Sequence, residues 1–123
     1  MKGYVLLFAA LMTATGPALA DPAQVERVTL TRNGDSWSVS VTISHDDTGW
    51  DDYADGWRVE TPDGEILGTR VLHHPHVEEQ PFTRSLDGLS MPDGVSEIVV
   101  RSRTNVTGWA DDASFPVPVP WGG

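Results

Sequence analysis

Trp37, Val39, Val41 and Ile43 alternate with Ser38, Ser40, Thr42 and Ser44. Period two sends the two sets to opposite faces of an extended chain, so this stretch predicts a half-buried strand. Just upstream, Val28 and Leu30 alternate with Thr29 and Thr31, and Asn33-Gly34 lies between the two runs. Asn-Gly accepts the positive φ of a tight hairpin turn, which predicts a hairpin over 25–32 and 36–44. Trp57 and Val59 then alternate with Arg58 and Glu60, and Pro62-Asp63-Gly64 supplies a turn. Residues 65–72 return as a strand and 82–86 form a short one. After a second Pro-Asp-Gly turn at 92–94, residues 95–103 form another. In that last strand Ile98 and Val100 are expected inward, with Glu97, Arg101 and Arg103 outward.

The C-terminal stretch FPVPVP places Pro116, Pro118 and Pro120 two apart. In an extended chain all three lack a donor along the same edge, while Phe115, Val117 and Val119 keep theirs along the other. Such a segment pairs on one side only and is expected at a sheet edge, where missing donors also discourage edge-to-edge association. The rival reading is a polyproline ligand for another domain. About seven strands, regular turns and no helical period predict an all-β fold, an antiparallel β-sandwich of immunoglobulin or fibronectin type III-like character.

Residues 1–20 have a different pattern. Lys2 precedes the apolar run 4–12, Gly16-Pro17 breaks it, and Ala18-Leu19-Ala20 has the small-x-small form of a cleavage site. The run is too short to span a bilayer, so a secretory signal peptide cut after Ala20 is expected, with a periplasmic or secreted destination. One β-sandwich domain over 21–123 remains, without another span. Cysteine is absent from all 123 residues, which excludes disulfides, thiolate metal sites, thiol nucleophiles and a lipid-bearing cysteine after the apolar run. The net charge is -10, and removing 1–20 takes away Lys2, the single lysine. Nucleic acid is thereby excluded as a partner, because phosphate binding needs a basic patch. A monomer is expected.

If consecutive strands run antiparallel, the connections 33–35, 62–64 and 87–94 share one end. The long ones, 45–56, 73–81 and 104–112, share the other. A rigid sandwich with its long loops together is the usual arrangement for a site. All four histidines, His45, His73, His74 and His76, fall at that end, with half of the 18 acids. In an extended segment His74 and His76 point the same way. With His45, and with Glu79 or Asp46, they could converge on zinc or copper. Asp46, Asp47, Asp51, Asp52 and Asp55 offer the oxygen ligands of calcium, although their spacing is that of no EF-hand. Solvated loop residues would give the same composition.

Trp50, Tyr53 and Trp109 could instead stack on a sugar or a protein partner. Trp37 and Trp57 sit on alternating strands and are expected in the core, with Trp121 exposed. Glu78-Glu79 could in principle serve glycoside hydrolysis, but adjacent residues on an extended chain point apart, and no Ser-His-Asp triad is defined by spacing. Asn105-Val106-Thr107 fits a glycosylation acceptor.

The core H-P-H-x-x-E-Q-P-F-T-R, here His74, Pro75, His76, Glu79, Gln80, Pro81, Phe82, Thr83 and Arg84, together with HDDTGWDDYADGW at 45–57, resembles a group of small secreted bacterial proteins of unsettled function. The likeness spans about 45–109. It implies no reaction, and it marks 74–84 as one unit in which Arg84 pairs with Glu79 to anchor the loop. That group carries a histidine near the position of Thr107, so a metal site depending on it would be incomplete here. The leading expectation is an exported, non-catalytic binding module whose His-rich end takes a divalent transition metal. The alternative is a metal-free module for a protein or carbohydrate, using Trp50, Tyr53, Trp109 and Arg84. An enzyme ranks third.

Overall fold

In the computed structural model, residues 21–111 and 114–121 are described. The expected signal segment and Asp112 lie outside them. Eight strands follow in chain order: β1 (Gln24–Asn33), β2 (Ser36–Ser44), β3 (Ala54–Glu60), β4 (Ile66–Val71), β5 (Phe82–Leu89), β6 (Glu97–Thr104), β7 (Gly108–Trp109) and β8 (Phe115–Pro118). All pairings are antiparallel. One sheet has the order β1-β2-β5 and the other β4-β3-β6, with β7 and β8 both pairing with the free edge of β6. The fold is the expected antiparallel sandwich.

The alternation read from the sequence is the packing pattern. Trp37, Val39, Val41 and Ile43 of β2 face Trp57 and Val59 of β3 and Ile98 and Val100 of β6, each at most 2% exposed. Burying side chains of this size contributes roughly 1.5–3 kcal/mol each, the main term holding the two sheets together. The β1–β2 turn is the two-residue Gly34-Asp35, with Asn33 opposite Ser36, and Gly34 takes the positive φ of 65° that the turn requires. Gly68 serves a different need. A Cβ there would stand 2.7 Å from Leu89 Cδ1 and 2.8 Å from Leu86 Cδ2, so its bareness lets β4 lie close against β5 of the facing sheet.

The proline-spaced segment is an edge strand. Phe115 and Val117 pair with Val100 and Ile98, Val119 N donates to Ser96 O, and Pro116, Pro118 and Pro120 face solvent. Two expectations need correction. Trp121 is half-buried: its ring meets Trp37 edge-on at 5.5 Å and its Nε1 donates to Val95 O at 2.6 Å. The loop expected over 104–112 is a three-residue turn, 105–107, because Gly108–Trp109 folds straight back onto β6 as β7. Thr104 Oγ1 holds this turn by accepting from Val106 N and Thr107 N.

That fold-back removes Trp109 from the loop end. Its ring lies on the outer face of the second sheet, 4.1 Å from the Arg58 guanidinium and 5.9 Å from that of Arg103. Beside it Glu60, with a side chain only 5% exposed, accepts from Arg58 and Arg101. Burial alone would raise the Glu60 pKa, but the hydrogen bonds from Arg101 and Arg58 outweigh it and hold the carboxyl below its ordinary value. Arg103 pairs with Asp55. This face is a ladder of paired charges that braces β3 against β6 and β7.

Candidate functional site

The loop end is organised by a residue that composition does not distinguish. The inward alternation of β2 continues past the strand, so His45 and Asp47 are buried and Asp46 is exposed. Asp47 has no exposed side-chain surface. Its Oδ1 faces His45 Nδ1 at 2.7 Å and accepts from Ala54 N at 3.0 Å, while its Oδ2 accepts from His76 N at 2.8 Å. One carboxylate thus ties the exit of β2 to the start of β3 and to the 73–81 loop. Gln80 adds a second tie: its Oε1 accepts from His45 N and its Nε2 donates to His76 O. The strand parity of β2, carried two steps further, is the signal that would have singled out Asp47 over Asp46.

His76 packs within the same clasp. Its ring stacks on Phe82 at 3.9 Å and leans against His74 at 4.7 Å. Nε2 accepts from Arg84 at 3.0 Å, and the buried Nδ1 has no partner. Burial lowers the His76 pKa, and the charges of Arg84 and then His74 lower it further, against weaker opposition from Glu79 and Asp47. Arg84 also reaches Glu79 at 3.4 Å, the pairing expected of that segment. His73 and His74 are exposed, and His74 Nδ1 lies 3.1 Å from its neighbour's carbonyl, Pro75 O.

The expected metal ligands do not converge. His45 and His76 meet Asp47 through different oxygens, one by its ring and the other by its backbone. Asp46 lies on the surface, and Glu79 is taken up with Arg84. Among the described residues, no group of three or more His, Cys, Asp or Glu side chains is placed to hold a metal ion. For the calcium candidates, Asp47 is committed to the clasp and Asp55 to Arg103.

The aromatic candidates separate. Trp109 and Arg84 are held elsewhere, as described, but Trp50 and Tyr53 meet edge-on at 5.5 Å. Asn105, from the turn after β6, braces them: its Oδ1 accepts from Tyr53 N and its Nδ2 donates to Trp50 O, both at 2.9 Å. Asn105 N also donates to Tyr53 O. Trp50 nevertheless remains 65% exposed, and the nearby turn presents Val106, 51% exposed. Asn105 therefore acts as a brace, a role that its sequence context as a glycosylation acceptor did not reveal.

Between the N-terminal segment and the β2–β3 loop lies a cleft of about 460 Å³, lined by Asp21, Gln24, Ser44, His45, Asp46, Asp52 and their neighbours. His45 Nε2 turns into it, 3.1 Å from Asp21 O and 3.7 Å from Asp52 Oδ1.

Comparison with known proteins gives one informative relative. Over 92 residues the chain is 44% identical to a protein of Halomicrobium mukohataei named "Putative lipoprotein". The match covers 74% of this chain and 45% of that protein, so the chain spans about half the length of the curated relative it matches. No family model and no solved structure matches. Among the described residues no helix is long and apolar enough to cross a membrane.

Proposed function

We propose that this chain is an exported, cell-envelope-associated, non-catalytic binding module that recognises a protein or carbohydrate partner through the Trp50–Tyr53 shelf. The observation that carries the reading is the contrast at Trp50. Its backbone carbonyl is fixed by Asn105 while the residue stays 65% exposed. Ordering a large aromatic ring before contact lowers the entropy lost on binding, and Trp dominates many interaction sites for that reason. Asp51 and Asp52 follow Trp50 in sequence and would accept from sugar hydroxyls or protein donors. The lipoprotein name of the relative and the signal-like segment at 1–20 support export to the envelope.

The test is capture from envelope extracts and on immobilised glycans, comparing the native chain with Trp50→Ala. The variant should lose at least tenfold in affinity at unchanged melting temperature. Equal binding by the two proteins would refute the shelf, and retention on glycans or on proteins alone assigns the partner class. The side-chain arrangement gives no support to zinc, copper or calcium. Titration of chelator-treated protein with each ion should give no saturable heat and no shift in melting. A saturable response lost in the His74→Gln/His76→Gln double variant would restore the metal reading.

A further inference from the structure

We propose that the cleft beside His45 seats the α-ammonium group of Asp21, created when the leader is removed after Ala20. The inference rests on the export reading above. Hydrolysis by a leader-cleaving protease would add water across the Ala20–Asp21 amide. Ala20 leaves with a carboxylate, and Asp21 keeps a protonated amine.

Three acidic residues, Asp21, Asp46 and Asp52, line the cleft. Asp52 Oδ1 is buried without a hydrogen-bond partner. Asp21 and Asp46, both also open to solvent, line the same space. The His45 ring, 4% exposed, has Asp47 Oδ1 at Nδ1 and only oxygens, from Asp21 and Asp52, near Nε2. One ring cannot satisfy this many acceptors, and an unpaired buried carboxylate oxygen is costly. An ammonium group brings three donors and a positive charge.

Asp21 is already in place to deliver that group. Its carbonyl lies against His45 Nε2, and its nitrogen is joined to that carbonyl through a single Cα. Two residues on, Ala23 is wholly buried and its carbonyl accepts from Ser102 Oγ at 2.5 Å. Pro22, between them, has its φ fixed by its ring. The residue that would carry the new amine is therefore held at the cleft by its own carbonyl and by the anchored Ala23 two positions on. In the uncut chain this nitrogen is a neutral amide, and the carboxylates gain no charge partner from it.

The experiment uses exported protein whose N-terminus is read by mass spectrometry. Three forms are compared: the chain beginning at Asp21, the same chain N-acetylated, and one extended by Gly-Ser. Acetylation and extension should each lower the melting temperature by roughly 3 °C or more. Most of that loss should vanish in the Asp46→Asn/Asp52→Asn double variant, where the charge partners are gone. The α-amine should titrate above its usual range of about 7.7–8.0, read by NMR of a 15N-labelled terminus. The titratable residues that line the cleft are Asp21, His45, Asp46 and Asp52. A raised value means the stabilisation is complete below about pH 8 and fades as pH rises through the folded value. A mature terminus elsewhere would overturn the inference together with the assigned cleavage site. A terminus at Asp21 with equal losses in both backgrounds would overturn the seating alone. An amine titrating within or below its usual range, with the melting loss traced instead to a free cation bound in the cleft, would also overturn it.

Discussion

Asp47 and Trp50 belong to the same short loop and meet opposite surroundings. Asp47 is sealed from solvent with donors at both oxygens, so it draws three segments together. Trp50 stays largely exposed, held through its backbone and by an edge-on contact with Tyr53. The first half of the loop therefore fixes structure and the second half presents a surface. The difference teaches that polarity is a poor guide to function at this end. One aspartate of four is structural, and the one tryptophan is open to solvent.

The largest effect should come from breaking the clasp. Asp47→Ala leaves His45 Nδ1 and two backbone N–H groups buried without acceptors, a cost of about 3–5 kcal/mol. Chemical denaturation should show it, and a loss under about 1 kcal/mol would mean that Gln80 alone holds the loops. Next in size, Asn105→Ala should cost about 1–2 kcal/mol and free the shelf. Faster amide exchange at Tyr53 and lower fluorescence anisotropy at Trp50 would report the release, and unchanged exchange would show that the Trp50–Tyr53 pair stands unaided.

A smaller effect depends on pH. Burial and Arg84 lower the His76 pKa below its ordinary value, so the folded state favours the neutral ring. Its contribution is complete above the unfolded value of about 6.5 and is lost as pH falls from there through the folded value. The difference in denaturation midpoint between the native chain and His76→Gln should narrow as pH falls from 7.5 to 5, within about that window. A constant difference would show that the ring is not forced to charge. Least of all, Trp50→Ala should shift stability by no more than about 0.5 kcal/mol, as at an uncommitted surface position. A larger loss would place Trp50 with the clasp.

How much of this was readable in the sequence follows from how local each cause is. Strand parity is local, so the inward sets of β2, β3 and β6 and the edge role of 115–118 were legible. The position of Trp109 was not. A two-residue strand gives no period, and what fixes it is the pairing with Arg103 and the guanidinium of Arg58 from a strand remote in sequence. The histidines misled for a related reason. Spacing gave a common direction to His74 and His76, but the depth of each depended on Phe82 and Asp47. Trp121 was expected outside because Gly-Gly follows it, and the partners that draw it in, Trp37 and Val95, are far along the chain.

The pairing of β1 has a mechanical consequence. Gln24 lies opposite Ser44 at the loop end and Asn33 opposite Ser36 at the turn end, while β8 runs so that Pro118 meets Glu97 at the turn end. The described chain thus starts at one pole and finishes at the other. Tension applied between residues 21 and 121 would pull along the strands. The β1–β2 ladder would then be loaded all at once rather than opened bond by bond. Such a module should resist stretching far better through these points than through residues 33 and 121, which share a pole. Single-molecule pulling in the two geometries would show equal rupture forces if this reading of the ladder were wrong.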